Sequence, residues 1–204
     1  MNFLAHAYLS FRQPGILTGN LISDFVKGKS RYTYPEDIQK GIALHRAIDQ
    51  FTDEHRVNAV AKAVFRPAVG LYAGAFVDVA YDHFLAKDPL AFPADTLPHF
   101  SQWVYGELEQ RLDVCPPKFQ AIFPYMHTQD WLLRYREREG IRQSMAGLAR
   151  RAQYLDSAEA AWAAFDNGYE QLEHCYQRFF PELMLFVNNY FRKHLLLPPP
   201  ASQL

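Results

Sequence analysis

Apolar residues recur along the chain at spacings of three and four, in one segment after another. That period matches the 3.6-residue turn of an α-helix. No stretch of five or more residues alternates strictly between apolar and polar, as a half-buried strand does. The pattern predicts an all-α fold, a single-domain helical bundle. The first helix covers 2–11 and is broken by Pro14 and Gly15; a second covers 19–27, a loop 28–35, and a central helix Glu36 to about Thr52. Further helical patterns cover 58–65, 70–86, 99–112, 119–126, 129–139, 141–151, 157–180 and 181–196, with Pro67, Gly140 and Pro181 among the dividers. Pro35 suits the first turn of the central helix, and Gly41 within it permits close packing. Asp156 or Ser157 is placed to cap the helix that follows, with Glu159 and Glu170 exposed. No repeat or linker divides the chain, so 1–197 reads as one domain and 198–204 as a disordered tail.

Polar groups interrupt the apolar faces of the first 90 residues in a regular way. Asn2/His6, Asn20/Asp24, His45/Asp49/Asp53 and Asp78/Asp82, with His83 adjacent, are each four apart. Four helical residues turn about 400°, so such neighbours lie within about 40° of each other on one stripe. Around His45 the stripe is interleaved with Ile42, Leu44, Ile48 and Phe51, which predicts burial. Buried ionisable groups are costly unless they are paired or bind a metal. A single buried histidine is ordinarily a hydrogen-bonded core residue. A single buried aspartate ordinarily caps a helix or pairs with an arginine, and Arg46 and Arg56 are available. Three histidines and five aspartates on four neighbouring helices exceed what the nearby basic residues can neutralise.

This predicts a metal site drawing on Asp24, His45, Asp82 and His83, with His6, Asp49 and Asp53 as further ligands or their supports. Mixed imidazole and carboxylate donors suit Mn²⁺, Fe²⁺ or Zn²⁺, with Mg²⁺ admitted if carboxylates dominate. No cysteine lies near them, which speaks against a structural zinc site. A cation among carboxylates suits hydrolysis of a phosphate ester. The chain has no GxSxG, Walker loop or GxGxxG.

Composition narrows the class. The chain has 204 residues, is 49% hydrophobic and 15% aromatic, and suits one domain with a substantial core. Its net charge of −1 gives no general attraction to nucleic acid. The two cysteines, Cys115 and Cys175, form no metal-binding pair and point to a reducing compartment. The N-terminal stretch lacks a basic region and a long apolar run, and nowhere do about 18 apolar residues run together. The expectation is a cytoplasmic protein with no membrane span and no nucleic-acid partner.

The stretches NFLAH (2–6), GNLISDF (19–25), HRAIDQFTD (45–53), DVAYDHFL (78–85) and WLLRY (131–135) resemble the acyl carrier protein phosphodiesterases, a bacterial family. The resemblance runs collinearly from Met1 to about Phe191. It implies a divergent branch of the all-helical HD-domain metal phosphohydrolases. It also implies Mn²⁺-dependent hydrolysis, with Mg²⁺ or Fe²⁺ as alternatives, of the phosphodiester joining 4'-phosphopantetheine to the serine of holo-acyl carrier protein. Apo-carrier protein and 4'-phosphopantetheine would be released, with no covalent intermediate. Asp78, Asp49 and Asp53 are the candidates to orient the attacking water, Asp78 foremost because it sits one turn before Asp82. Typical HD domains carry a His-Asp dipeptide, whereas this chain has the reversed pair Asp82-His83. Two other functions fit the same residues: hydrolysis of a nucleotide or other small diester, and carrier-protein binding without chemistry.

Residues 134–151 hold six arginines against two glutamates. They suit a solvated helix face or a docking patch for the acidic carrier protein, with Arg138, Arg142, Arg150 and Arg151 as its candidate members. Trp103, Phe119, Phe123, Tyr125 and Trp131 are expected in the core rather than around a pantetheine slot.

Overall fold

The computed structural model describes residues 1–152, 155 and 157–195. Among them every regular element is helical and no strand occurs. The helices are α1 (Phe3–Tyr8), α2 (Pro14–Ile22), α3 (Glu36–Glu54), α4 (Arg56–Val69), α5 (Ala73–Lys87) and α6 (Leu97–Glu109). They continue as α7 (Pro117–Thr128), α8 (Trp131–Arg134), α9 (Arg138–Arg151), α10 (Glu159–Asn167) and α11 (Tyr169–Tyr190), the last running into a π turn over Phe191–Leu195. The all-α expectation holds. Asp156 and the tail 198–204 lie outside the described residues.

Boundaries at proline and glycine depart from the pattern. Pro14 opens α2, because a proline in the first turn sacrifices no helical hydrogen bond. Pro67 and Pro181 lie inside α4 and α11 instead of dividing them. The apolar face of α11 continues past Pro181 through buried Phe179, Phe180 and Leu183, and that burial holds the helix together. Breaks fall at glycines. Gly70 ends α4 with φ +56, and Gly168 separates α10 from α11, where a Cβ would lie 2.4 Å from Val64 Cγ1 of α4. Gly140 does not divide helices; it sits inside α9, with no room for a Cβ against the Arg134 carbonyl. Ser157 accepts from the Glu159 amide at 3.4 Å, next to the start of α10.

The closest helix pair is α2 against α3. A Cβ on Gly19 would lie 2.0 Å from the Ile38 carbonyl oxygen, and one on Gly41 2.2 Å from that of Ile16. Only bare backbones fit there, as expected for Gly41. The core spreads from this contact through Leu17, Ile42, Leu44 and Ile48 to Phe65 of α4, Phe76 and Tyr81 of α5, and Phe179 and Leu183 of α11, all buried. The helix buried on nearly all sides is α5, where every residue from Val79 to Ala86 is inaccessible. It, rather than α3, is the axis of the bundle.

The segment Arg56–Lys87, with mean hydropathy 1.3 over its best window, is long and apolar enough by composition to span a membrane. It is not one rod: the left-handed residue Gly70 folds it into the hairpin of α4 and α5.

Phe119 and Phe123 are core residues and Trp103 is half-buried, while Tyr125 is exposed. Trp131 is also half-buried and lines a cleft instead of the core.

Candidate metal centre

The α2–α3 contact carries the site, because it brings Asn20 of α2 against His45 of α3. The Asn20 backbone carbonyl lies 2.7 Å from His45 Nδ1. A carbonyl only accepts, so Nδ1 carries the proton and Nε2 has a free lone pair in the neutral ring. The Asn20 side chain fixes a second ring. Its Nδ2 donates to the His6 carbonyl at 2.8 Å and to Ser10 Oγ at 3.0 Å. That leaves its Oδ1 facing His6 Nδ1 at 2.8 Å, so His6 Nδ1 also donates. Both imidazoles, when neutral, thus present a bare Nε2, and the rings stack at 4.0 Å.

The two Nε2 atoms converge on Asp49. His45 Nε2 lies 3.0 Å from Asp49 Oδ2 and 3.1 Å from Asp24 Oδ1, and His6 Nε2 lies 3.3 Å from Asp49 Oδ1. One donor atom from each of His6, His45 and Asp49 fits within 4.8 Å of the others. His6 Nε2 is buried and has no hydrogen-bond partner. A lone pair facing a carboxylate with no proton between them is repulsive, and a cation removes the repulsion.

The charges follow. Burial disfavours charge on His45, but Asp24 and Asp49 outweigh it and raise its pKa to about 9. Burial, with the neighbouring His45 charge, lowers His6 to about 4. Against its own burial, Asp49 is held far below the carboxylate range, chiefly by its bond to protonated His45. Asp24 is lowered by its bond to His45. A single proton on His45 therefore serves Asp24 and Asp49 in the metal-free chain and leaves His6 Nε2 unserved. The set fits a divalent cation: two neutral imidazole nitrogens, each oriented by an oxygen behind it, and one or two carboxylates. Asp24, its side chain 78% exposed, and Asp49, 40% exposed, form the solvent side.

The other sequence candidates go elsewhere. Asp82 is wholly buried and accepts from the Asn2, Leu4 and Ala5 amides at 3.3, 2.7 and 3.3 Å. It caps α1, satisfying the orphan donors of that helix, and its oxygens are committed there. Burial still pushes its pKa to about 7. His83 turns about 100° away from Asp82 on α5. Its Nδ1 lies 2.7 Å from the Tyr135 carbonyl and its Nε2 3.0 Å from Tyr169 Oη, so both nitrogens are satisfied. Asp53 is exposed and pairs with Lys62 at 2.7 Å. Asp78 borders the cluster: its Oδ1 is 3.0 Å from the Met1 nitrogen, which is 3.7 Å from Asp49 Oδ1. Burial raises Asp78 against the pull of that amine.

Among the arginines, Arg138 pairs with Asp166 and lies over the Trp162, Phe165 and Tyr169 rings. Arg142 pairs with Glu159 at 3.1 Å. Both are tied to α10. Arg150 and Arg151 line the Trp131 cleft, of about 510 Å³, and make no ion pair among the described residues. Sequence reasoning passed over Asn20 as a site residue. Its i,i+4 relation to Asp24 was visible, but its two-ring role depends on the α2–α3 approach.

Known proteins bear on the same residues. A family model described as acyl carrier protein phosphodiesterase matches residues 1–183, a span that contains the whole cluster. The acyl carrier protein phosphodiesterase of Enterobacter sp. (strain 638) is 36% identical over 190 residues, 93% of this chain and 98% of that protein. Its namesake in Klebsiella pneumoniae (strain 342) is 35% identical over 190 residues, 93% of this chain and 98% of that protein. That of Salmonella agona (strain SL483) is 34% identical over 185 residues, 90% of this chain and 96% of that protein. No solved structure matches. With a family model spanning most of the chain and relatives alike over nearly their full lengths, the chain belongs to the acyl carrier protein phosphodiesterase family.

Proposed function

We propose that this protein hydrolyses the phosphodiester joining 4'-phosphopantetheine to the serine of holo-acyl carrier protein, with a divalent cation held by His6, His45, Asp49 and Asp24. The observation that carries this reading is the unpartnered Nε2 of His6 beside a carboxylate already shared with His45. The family resemblance points to Mn²⁺, with Mg²⁺ or Fe²⁺ next, and mixed imidazole and carboxylate donors admit a divalent first-row ion. Such a cation neutralises charge growing on a phosphoryl oxygen and lowers the pKa of water.

The chain supplies the rest. Asn20 holds both imidazoles in the tautomer that leaves Nε2 free. Asp78, at the edge of the cluster with a raised pKa, accepts a proton from the attacking water. Water oxygen bonds to phosphorus, the bond from phosphorus to the serine oxygen breaks, and serine leaves with a proton as the hydroxyl. The products are apo-carrier protein and 4'-phosphopantetheine. Asp82 and His83 act as structural groups, and Asp53 as a surface carboxylate.

The carrier approaches from the solvent side. Lys27 and Lys29 follow Asp24, and Arg46 follows His45; all three are exposed and make no ion pair among the described residues. Arg138 and Arg142, by contrast, are already paired with Asp166 and Glu159. Charge reversal at Lys29 and Arg46 should raise KM and flatten its salt dependence; an unchanged salt slope removes them from the interface.

The decisive experiment incubates holo-carrier protein with the enzyme and Mn²⁺ in ¹⁸O-labelled water and follows intact mass. The carrier should lose one phosphopantetheine arm, and the label should appear on the released phosphate. An unaltered carrier rejects the function, and label in the serine rejects attack at phosphorus.

A further inference from the structure

The cleft at Trp131 has a local cause in the sequence. The face of α9 that looks toward α1 and α8 carries Gly140, Gln143, Ser144, Gly147, Leu148 and Arg151, spaced by three and one. Half of these are Gly or Ser, so the helix leaves space where its neighbours present Phe3 and Trp131, whose rings are 6.2 Å apart. The result is a cleft of about 510 Å³ with an aromatic wall and an amide-and-guanidinium wall.

Its position relates it to the metal centre. Asn2, the N-cap of α1, lines the cleft, and His6 on the same stripe of α1 reaches the cluster. One helical turn, about 5.4 Å, separates them along the helix. Asn2 therefore stands between the cleft and His6.

We infer that this cleft holds the pantetheine arm of the substrate: a flexible, uncharged chain with two amides and a geminal dimethyl group. The inference rests on the function proposed above. The arm is about as long as five extended residues, roughly 17 Å, which a cleft of this volume accommodates. Half-buried Arg134 and the Gln129 amide nitrogen offer donors to amide carbonyls, and the Gln143 oxygen accepts from an amide N–H; the Gln129 oxygen is taken by the Trp131 indole at 3.0 Å and the Gln143 nitrogen donates to Glu139 at 3.2 Å. Phe3 and Trp131 cover the dimethyl group. Arg150 and Arg151 then belong to the mouth of the arm's cleft rather than to the docking surface for the carrier's acidic side chains.

Gly147 provides the test. A Cβ there would meet nothing nearer than the Arg150 guanidinium at 3.7 Å, so Gly147→Leu fills the cleft without displacing backbone and improves helix propensity. The variant should keep its helical circular dichroism, its Tm and its bound Mn²⁺, while KM for holo-carrier protein rises at least tenfold. By calorimetry, free pantetheine should bind the wild type and not the variant. Arg134→Ala, which removes donors without adding bulk, is the second variant and should weaken pantetheine severalfold. Unchanged KM and pantetheine binding in both variants overturn the inference. So does a wild-type cleft that ignores pantetheine and binds only inorganic phosphate in an Arg134-dependent way, which would make it an anion site. A wild type that binds pantetheine in the cleft yet releases no phosphopantetheine from the carrier leaves the cleft standing and rejects the proposed function instead.

Discussion

Two corners of this fold bury an imidazole beside a carboxylate, and they have opposite characters. In the α1–α2–α3 corner, His6 and His45 each spend Nδ1 on an oxygen of Asn20 and turn Nε2 toward Asp49. Midway along α5, Asp82 and His83 are more deeply buried, yet every polar atom is matched: three amides for the carboxylate, a carbonyl and a phenol for the ring. Residue types are the same in both, and the imidazoles are buried in both. Unspent lone pairs pointing at a shared centre distinguish the first from the second. A polar group satisfied by its own fold has nothing left to give a metal.

The contrast breaks most sharply at the cluster itself. His6→Ala and His45→Ala should each reduce Mn²⁺ affinity and diester hydrolysis together by more than about 100-fold, beyond the loss typical of a supporting residue. Elemental analysis and single-turnover assays measure both, and a variant with full metal and full turnover would place the centre elsewhere. Asn20→Ala comes next. With the His6 ring left unoriented while the Asn20 backbone carbonyl still holds His45, metal affinity should fall about 10-fold while the cluster's donors all remain.

At α5 the effect should move from metal to stability. His83→Phe leaves the Tyr135 carbonyl without its donor and should cost about 1–3 kcal/mol in denaturant melts. Asp82→Ala leaves the buried Leu4 and Ala5 amides at the start of α1 without their acceptor, at about 1–3 kcal/mol. Neither should change the metal stoichiometry of the folded protein; loss of metal from folded His83→Phe would make the α5 corner part of the metal centre.

The smallest effect concerns protons. His45 has a pKa of about 9 in the metal-free fold, above its unfolded value of 6.5. A raised pKa on a base means that its stabilising charge is fully present below pH 6.5 and is lost as pH rises through about 9. The metal-free protein should therefore lose stability across that window. Since the ligating ring must be neutral, Mn²⁺ uptake should release about one proton there. Calorimetry in buffers of different ionisation enthalpy counts it, and zero release between pH 7 and 8 would mean that His45 does not ligate.

Several boundaries were illegible for one physical reason. Pro67, Gly140 and Pro181 carry strong local preferences, but long apolar faces packed on α5 and α11 outweigh them. The arginine segment left two readings open, a solvated face and a docking patch, because charge density says nothing about which guanidiniums already have partners. Arg138 and Arg142 have them on α10.

The sequence by itself determined the helical period, the single-domain scale and the stripes that hold His6, Asn20, Asp24, His45 and Asp49. These are local properties, written in spacings of three and four. Tertiary structure alone decided which stripes meet. Gly19 against Gly41 brings the Asn20 carbonyl to His45, and the one-residue step from Asp82 to His83 turns those groups to different neighbours. Convergence depends on helix separation and rotation across residues far apart in the chain. A change of one side chain's width between α2 and α3 would scatter the same residues into separate hydrogen bonds.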